Sequence, residues 1–176
     1  LLLWIPIFYE YQKRVGLNDT QIFEIQSIYY IAFCFLEIPT GLIADRLGYR
    51  LCMRVGAIVL VFCNLLPVLF HTYNSFLWHF LLIALSRSLI SGASSAYLYD
   101  SLQVRGVDVA EYKRVEGNSR SYGLMGKVLI WPFIGPLMDW KLGTPYVLTV
   151  VGAVFAVVCA MAMPADAPAP AGATTP

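Results

Sequence analysis

The sequence predicts an all-α protein, a polytopic bundle of transmembrane helices, and three observations carry that expectation. Of the 176 residues, 59% are hydrophobic and 13% charged, with a mean hydropathy of +0.66; a soluble core of this length cannot hide so much apolar surface. The apolar residues fall into six runs that reach or approach the ~20 residues a helix needs to cross a bilayer. The turns between the runs sort by charge. Seven bases (Arg46, Arg50, Arg54, Arg105, Lys113, Arg114 and Arg120) fall on one set and three (Lys13, Arg14 and Lys141) on the other.

The formal net charge of +1 gives no reason to expect a nucleic-acid partner, whereas membrane lipid follows directly from the composition. Cys34, Cys52, Cys63 and Cys159 lie far apart with no C-x-x-C pair, and His71 and His79 are the only histidines. Neither a disulfide framework, a metal site nor a cofactor is expected.

The first run, residues 1–10, is half a span. It ends in Tyr9, Tyr11, Lys13 and Arg14, an aromatic and basic collar suited to a membrane interface. With no initiating Met and no signal-peptide cleavage site, the first helix is expected to be truncated. After Gly16, Asn18-Asp19-Thr20 offers N-caps to the second span, residues 22–42. At 100° per residue, Gln26, Tyr30, Phe33, Glu37 and Gly41 share one face, which is polar and expected to turn from lipid. The third span, residues 55–70, is interrupted only by Asn64 and Pro67 and reads as structural. Residues 71–75 form a turn too short for a domain, so spans three and four are antiparallel neighbours.

The fourth span, residues 76–99, has Arg87 at its middle, Ser91 and Ser94 on roughly the same face, and Asp100 at its end. Residues 102–119 are charged and read as a helical connector on the cytoplasmic surface. The fifth span, residues 118–138, presents Arg120, Gly123, Lys127 and Trp131 on one face, with Pro132 and Pro136 expected to bend it. After an outer turn at 139–143, the sixth span runs over 145–163 and Pro164 ends it. Residues 1–163 thus form one six-span bundle. The Pro/Ala-rich stretch 164–176 reads as a disordered cytoplasmic linker or tail.

Three charges lie inside these spans. By insertion scales a charge near the bilayer centre costs ~2.5–3.5 kcal/mol or more, so Glu37, Arg87 and Lys127 each require a partner, a water-filled cavity or a route to the surface. Arg87 stands about 11 residues, roughly 17 Å, from either end of its span. Glu37 and Lys127 each lie about eight residues, roughly 12 Å, inside the same boundary, a similar depth that allows a structural ion pair. Glu37 is also the carboxyl through which coupling to a proton would run.

The most specific stretch is Gly41-Leu-Ile-Ala-Asp45-Arg46-Leu-Gly48-Tyr49-Arg50, a charged turn between the second and third runs. Gly41 permits close helix approach, Gly48 supplies a positive φ for the reversal, and Asp45 suits a helix N-terminus. This order of Gly, Asp-Arg, Gly and a base resembles the signature between the second and third helices of the major facilitator superfamily. Glu37-Ile-Pro39-Thr40 and Tyr97-Leu-Tyr99-Asp100-Ser101-Leu102 also resemble bacterial members. In one departure, the family has two consecutive bases after the second glycine, and here Tyr49 replaces the first, the base expected to pair with Asp100. Gly135-Pro136 matches the end of the family's antiporter signature, although Trp131 and Asp139 stand where glycine is expected.

The resemblance spans nearly the whole chain and implies the amino-terminal six-helix half of a secondary transporter that moves a small solute by alternating access. It implies a second six-helix bundle as partner, a plasma-membrane location, and a cytoplasmic position for the 41–50 turn and the C-terminus, as the positive-inside rule also predicts. Arg87, with Ser91, Ser94, Glu37 and Lys127, becomes the candidate solute or ion pathway, and Gly41, Asp45, Arg46, Gly48, Arg50 and Asp100 the candidate conformational gate. An enzyme is not expected. Gly92-Ala-Ser94 offers an intramembrane serine protease its nucleophile motif, but His79 is on the same span and His71 at the opposite membrane end. No channel filter sequence is visible. A non-transporting membrane scaffold or accessory subunit is the alternative.

Overall fold

The structure, a computed structural model, describes residues 2–104, 106 and 108–163. These residues are almost entirely helical and include no strand. A 3-10 turn at Ile5–Ile7 leads into α1 (Phe8–Val15), followed by α2 (Asp19–Leu47), α3 (Tyr49–Leu69), α4 (Tyr73–Val104), α5 (Val109–Trp140) and α6 (Thr144–Met161). Four helices, α2, α3, α4 and α6, are long and apolar enough to cross a membrane, which makes this a membrane protein. α5 is as long as α4, but Glu111, Lys113, Arg114, Glu116, Arg120 and Lys127 keep it outside that apolar group. Arg105 and the expected linker at 164–176 lie outside the described residues.

Helix boundaries extend past the apolar runs, because polar residues continue a helix beyond the hydrocarbon as readily as they leave it. Two expectations are corrected by this. The 41–50 turn is a reversal at the single residue Gly48, whose φ of 92° is the conformation glycine was needed for; Gly41–Leu47 completes α2 and Tyr49 opens α3. The expected surface connector is likewise not a separate element, since residue 109 onward belongs to α5. The N-cap is Asn18: its side chain accepts the Gln21 N–H at 2.9 Å while Gln21 accepts the Asn18 N–H at 3.1 Å, a reciprocal capping box.

α4 is the central post, packed chiefly against α2 and α3, and α3 in turn carries α6. Small and hydroxylated residues set the close crossings. At the α3–α4 crossing, a Cβ on Gly56 would lie 2.7 Å from Ile90 Cγ1 and 3.1 Å from the Ser86 carbonyl oxygen, and Ser86 Oγ donates to the Gly56 carbonyl at 2.8 Å. At the α2–α4 crossing, Thr40 and Ser88 share a hydrogen bond of 2.5 Å.

Pro67 has no N–H, so within α3 the Cys63 carbonyl loses its usual donor. His79 of α4 replaces it, with Nδ1 at 2.6 Å from the Cys63 oxygen. His79 is fully buried among the rings of Trp4, Phe80 and Tyr146. Trp4 Nε1 donates to Asn64 Oδ1 at 2.8 Å and Tyr11 Oη to the Pro67 carbonyl at 3.0 Å, so the N-terminal segment is fastened to the broken end of α3. The sequence read Asn64 and Pro67 as mere irregularities; together they form the socket for that segment.

Polar contacts sort the two ends of the bundle. At one end Arg14 bonds Asp139 at 2.7 Å and Glu10 at 2.8 Å, bringing α1 to the C-terminal end of α5. Lys13 pairs with Asp19 at 2.7 Å, and that hydrogen bond holds its ammonium pKa above the ordinary value. At the other end, Arg50 donates to the Met163 carbonyl at 2.6 Å, and Arg54 to the Ala160 and Met161 carbonyls at 3.0 Å each. Arg54 thus caps the open carbonyls at the end of α6, where the helix dipole favours a cation, and Arg50 holds the chain just beyond it.

Candidate functional site

Arg87 lies mid-way along α4, about 21 Å from Tyr73 and about 26 Å from Val104 at 1.5 Å per residue. Its Nη1 donates to Tyr29 Oη of α2 at 2.6 Å, and its guanidinium carbon stands 5.5 Å from the Phe33 ring centroid. One side of the guanidinium is thus fixed by an acceptor and an aromatic face. The rest opens on a cavity of about 310 Å³.

Lys127 of α5 lines the same cavity, with Ser86 and Ser91 of α4. Leu2, Ile5, Leu60 and Ile90 form its apolar walls. Lys127 Nζ lies 5.9 Å from the Trp131 ring centroid, consistent with the shared face expected for these two residues. Among the described residues neither Arg87 nor Lys127 forms an ion pair.

A second cavity of about 330 Å³ lies further along α4 and α5, lined by Ser91, Ser94, Ser95 and Leu98 on one side and Glu116, Ser119 and Arg120 on the other. Ser91 lines both cavities, so polar groups continue from Arg87 along the α4–α5 groove. Glu116 spans the groove: its Oε1 accepts from Arg120 at 2.7 Å and from Ser95 Oγ at 3.3 Å. The hydrogen bonds from Arg120 and then Tyr112 hold the Glu116 carboxyl below its usual pKa.

The sequence-predicted pathway is therefore only partly brought together. Arg87, Ser91 and Lys127 share the first cavity, and Ser94 joins Ser91 in the second. Glu37 lines neither, is exposed on α2 and makes no ion pair with Lys127. The packed face of α2 is instead Ile22, Ile25, Tyr29, Thr40 and Ala44, with Tyr30 and Glu37 beside it and uncovered. The reason is steric: Thr40 and Ala44 are small enough to let α2 approach α4 closely.

Of the predicted gate residues, Gly41, Asp45, Arg46 and Arg50 flank the Gly48 reversal in sequence and Asp100 lies in the last turns of α4, and they do not form one contact network. Asp45 is exposed and accepts a long, 3.4 Å bond from Tyr49 Oη, and Arg46 is exposed beside it. Arg50 is directed to α6 and is not paired with Asp100. The Ser94–histidine arrangement of a protease is absent: Ser94 Oγ donates to the Ser91 carbonyl, and His79 lies 15 residues away, about 22 Å along the helix.

Tyr29, Ser95, Glu116 and Ser119 were missed as site residues. Tyr29 meets Arg87 across 58 positions of sequence, and no local spacing signals such a pairing. Glu116 was placed in a connector; continuing the α5 periodicity four residues back from Arg120 would have found it. No family model and no curated protein matches this chain.

Proposed function

We propose that the chain is the amino-terminal six-helix half of a major-facilitator transporter, moving a small solute across the plasma membrane by alternating access. The observation that carries the reading is the cavity itself: two cations at mid-helix, on α4 and α5, line one open space that no carboxylate lines among the described residues. Arg87 is exposed and Lys127 half-buried in this single bundle, and a cation at mid-span without an acidic partner marks a solute or ion pathway. The N-terminal segment and α5 then complete the six spans begun by the four apolar helices. The excess of bases puts the Gly48 reversal and the C-terminus in the cytoplasm. A second bundle would cover the exposed Tyr30 of α2 and the exposed Tyr122 and Phe133, which share one face of α5, and Glu37, on the Tyr30 face, would face it as the group available for proton coupling.

The same exposed faces favour the second reading, a membrane scaffold that docks a partner without moving solute. Accessibility separates the two. In full-length protein with the exposed Cys34 and Cys159 replaced, Ser91→Cys should react with a membrane-impermeant thiol reagent from either side of a sealed vesicle. Reaction from one side only, under every condition, favours the scaffold and removes alternating access.

A further inference from the structure

We infer that the cavity between α4 and α5 binds a small organic anion, a carboxylate carried on a short hydrocarbon body. This rests on the transporter reading only for what happens to the ligand afterwards. Arg87 and Lys127 enter the cavity from two helices, and among the described residues no acid lines it. The nearby carboxylate of Glu116 is engaged by Arg120 and Ser95, and Glu37 is exposed on α2 outside the cavity. Two like charges lining one open cleft repel each other, and an anion between them removes that repulsion and adds attraction to both.

The donor geometry favours a planar anion. A guanidinium offers five N–H groups in a fixed fork, and Tyr29 takes one of them. The fork matches the two oxygens of a carboxylate, while the ammonium of Lys127 acts as a point charge from the other helix. Tyr29 and Phe33 fix the far side of the guanidinium, so little freedom is lost when the ligand arrives. Ser86 and Ser91 add hydroxyls along α4, Ser86 already donating to the Gly56 carbonyl, while Leu2, Ile5, Leu60 and Ile90 form an apolar side that suits a hydrocarbon. A volume of about 310 Å³ stands at the small end of the ~300–1,000 Å³ of small-molecule pockets, enough to seat a compact acid.

Full-length protein in nanodiscs of zwitterionic phosphatidylcholine tests this with three probes of one shape: benzoate, benzyl alcohol and benzylamine. Saturable benzoate binding is expected, at least tenfold tighter than the alcohol, with the amine not bound. Arg87→Gln and Lys127→Gln should each weaken benzoate at least tenfold, and Arg87→Lys should retain part of the affinity. Lys127 lies on the less packed α5, so its variant keeps the test valid if Arg87→Gln fails to fold. Equal binding of the three probes, or unchanged benzoate affinity in Lys127→Gln, overturns the inference. An anionic lipid headgroup offers similar chemistry, so the titration is repeated with phosphatidylglycerol in the nanodisc. Unchanged affinity assigns the site to a free acid; loss of benzoate binding assigns it to lipid and overturns the proposal. Benzoate binding without flux leaves this site standing and removes the carrier, whereas flux of an amine with no benzoate binding does the reverse.

Discussion

At the scale of single residues, Arg87 was legible because a charge in the middle of an apolar run has few physical excuses. Its partner was not. Tyr29 is one of 11 tyrosines, and only the α2–α4 packing selects it. The two residues should behave differently when changed. Arg87→Ala removes a charged hydrogen-bond donor, worth ~1.5–3 kcal/mol, and should weaken solute binding by about tenfold or more. Tyr29→Phe keeps the ring and loses only the hydroxyl, so equilibrium titration should show a smaller loss, with Arg87 still in place. A normal affinity in Arg87→Ala, combined with poor membrane yield, would reassign the arginine to structure. Asp45 belongs to a different class. Under the proposed half-transporter reading it would be a latch between bundles, and its exposed position leaves it little role in packing. Asp45→Asn should slow transport while largely preserving binding, apart from the modest shift that a changed state equilibrium imposes.

At the scale of elements, hydrophobic runs located the helices, and the Gly48 reversal was placed correctly by the need for positive φ. The runs could not give helix ends, because a helix leaving a membrane continues through charged residues; α2, α4 and α5 all overrun the expected limits. Packing partners were equally hidden, since ridge contacts depend on small residues meeting across helices. Gly56 tests that contact. Gly56→Ala sets a methyl 2.7 Å from Ile90 Cγ1 and 3.1 Å from a backbone oxygen. Overpacking of this kind costs ~1–3 kcal/mol, read as lower thermal stability in detergent. Ile90→Ala in the same protein should recover part of the loss, and strictly additive losses would show that the two helices do not meet as described. The α4–α5 groove offers a second test. A carboxyl whose folded pKa is depressed stabilises the fold above its unfolded value and loses that contribution as pH falls through the folded one. Acidification below the ordinary value of 4.5 should therefore weaken the Glu116 bridge to Arg120 and Ser95. Glu116→Gln should flatten the stability profile in that window; an identical slope would mean the bridge does not form.

At the scale of the whole molecule, topology and function follow from which ends lie together. The Arg14–Asp139 pair joins one end, and the Arg50 and Arg54 contacts with α6 join the other. Asn74, in the first turn of α4, and Asp108, just before α5, lie at opposite ends of that arrangement. Single cysteines placed there should label from opposite sides of the membrane, with Asp108 cytoplasmic; labelling from the same side would sink the six-span reading. Transport demands more than this arrangement supplies. Alternating access needs two bundles rocking about a site between them, and here the wall opposite Arg87 and Lys127 is not provided by a second bundle. With one bundle alone, the exposed faces of α2 and α5 have lipid where a partner should stand, and nothing can expose the cavity first to one side and then to the other. Residues 1–176 reconstituted by themselves should therefore give no solute-dependent flux in liposomes, even where they bind an acid. Flux from that preparation would require two copies to assemble face to face, which crosslinking between α2 of one copy and α5 of the other would detect. Flux from a preparation that stays monomeric under the same crosslinker would refute the half-transporter reading outright.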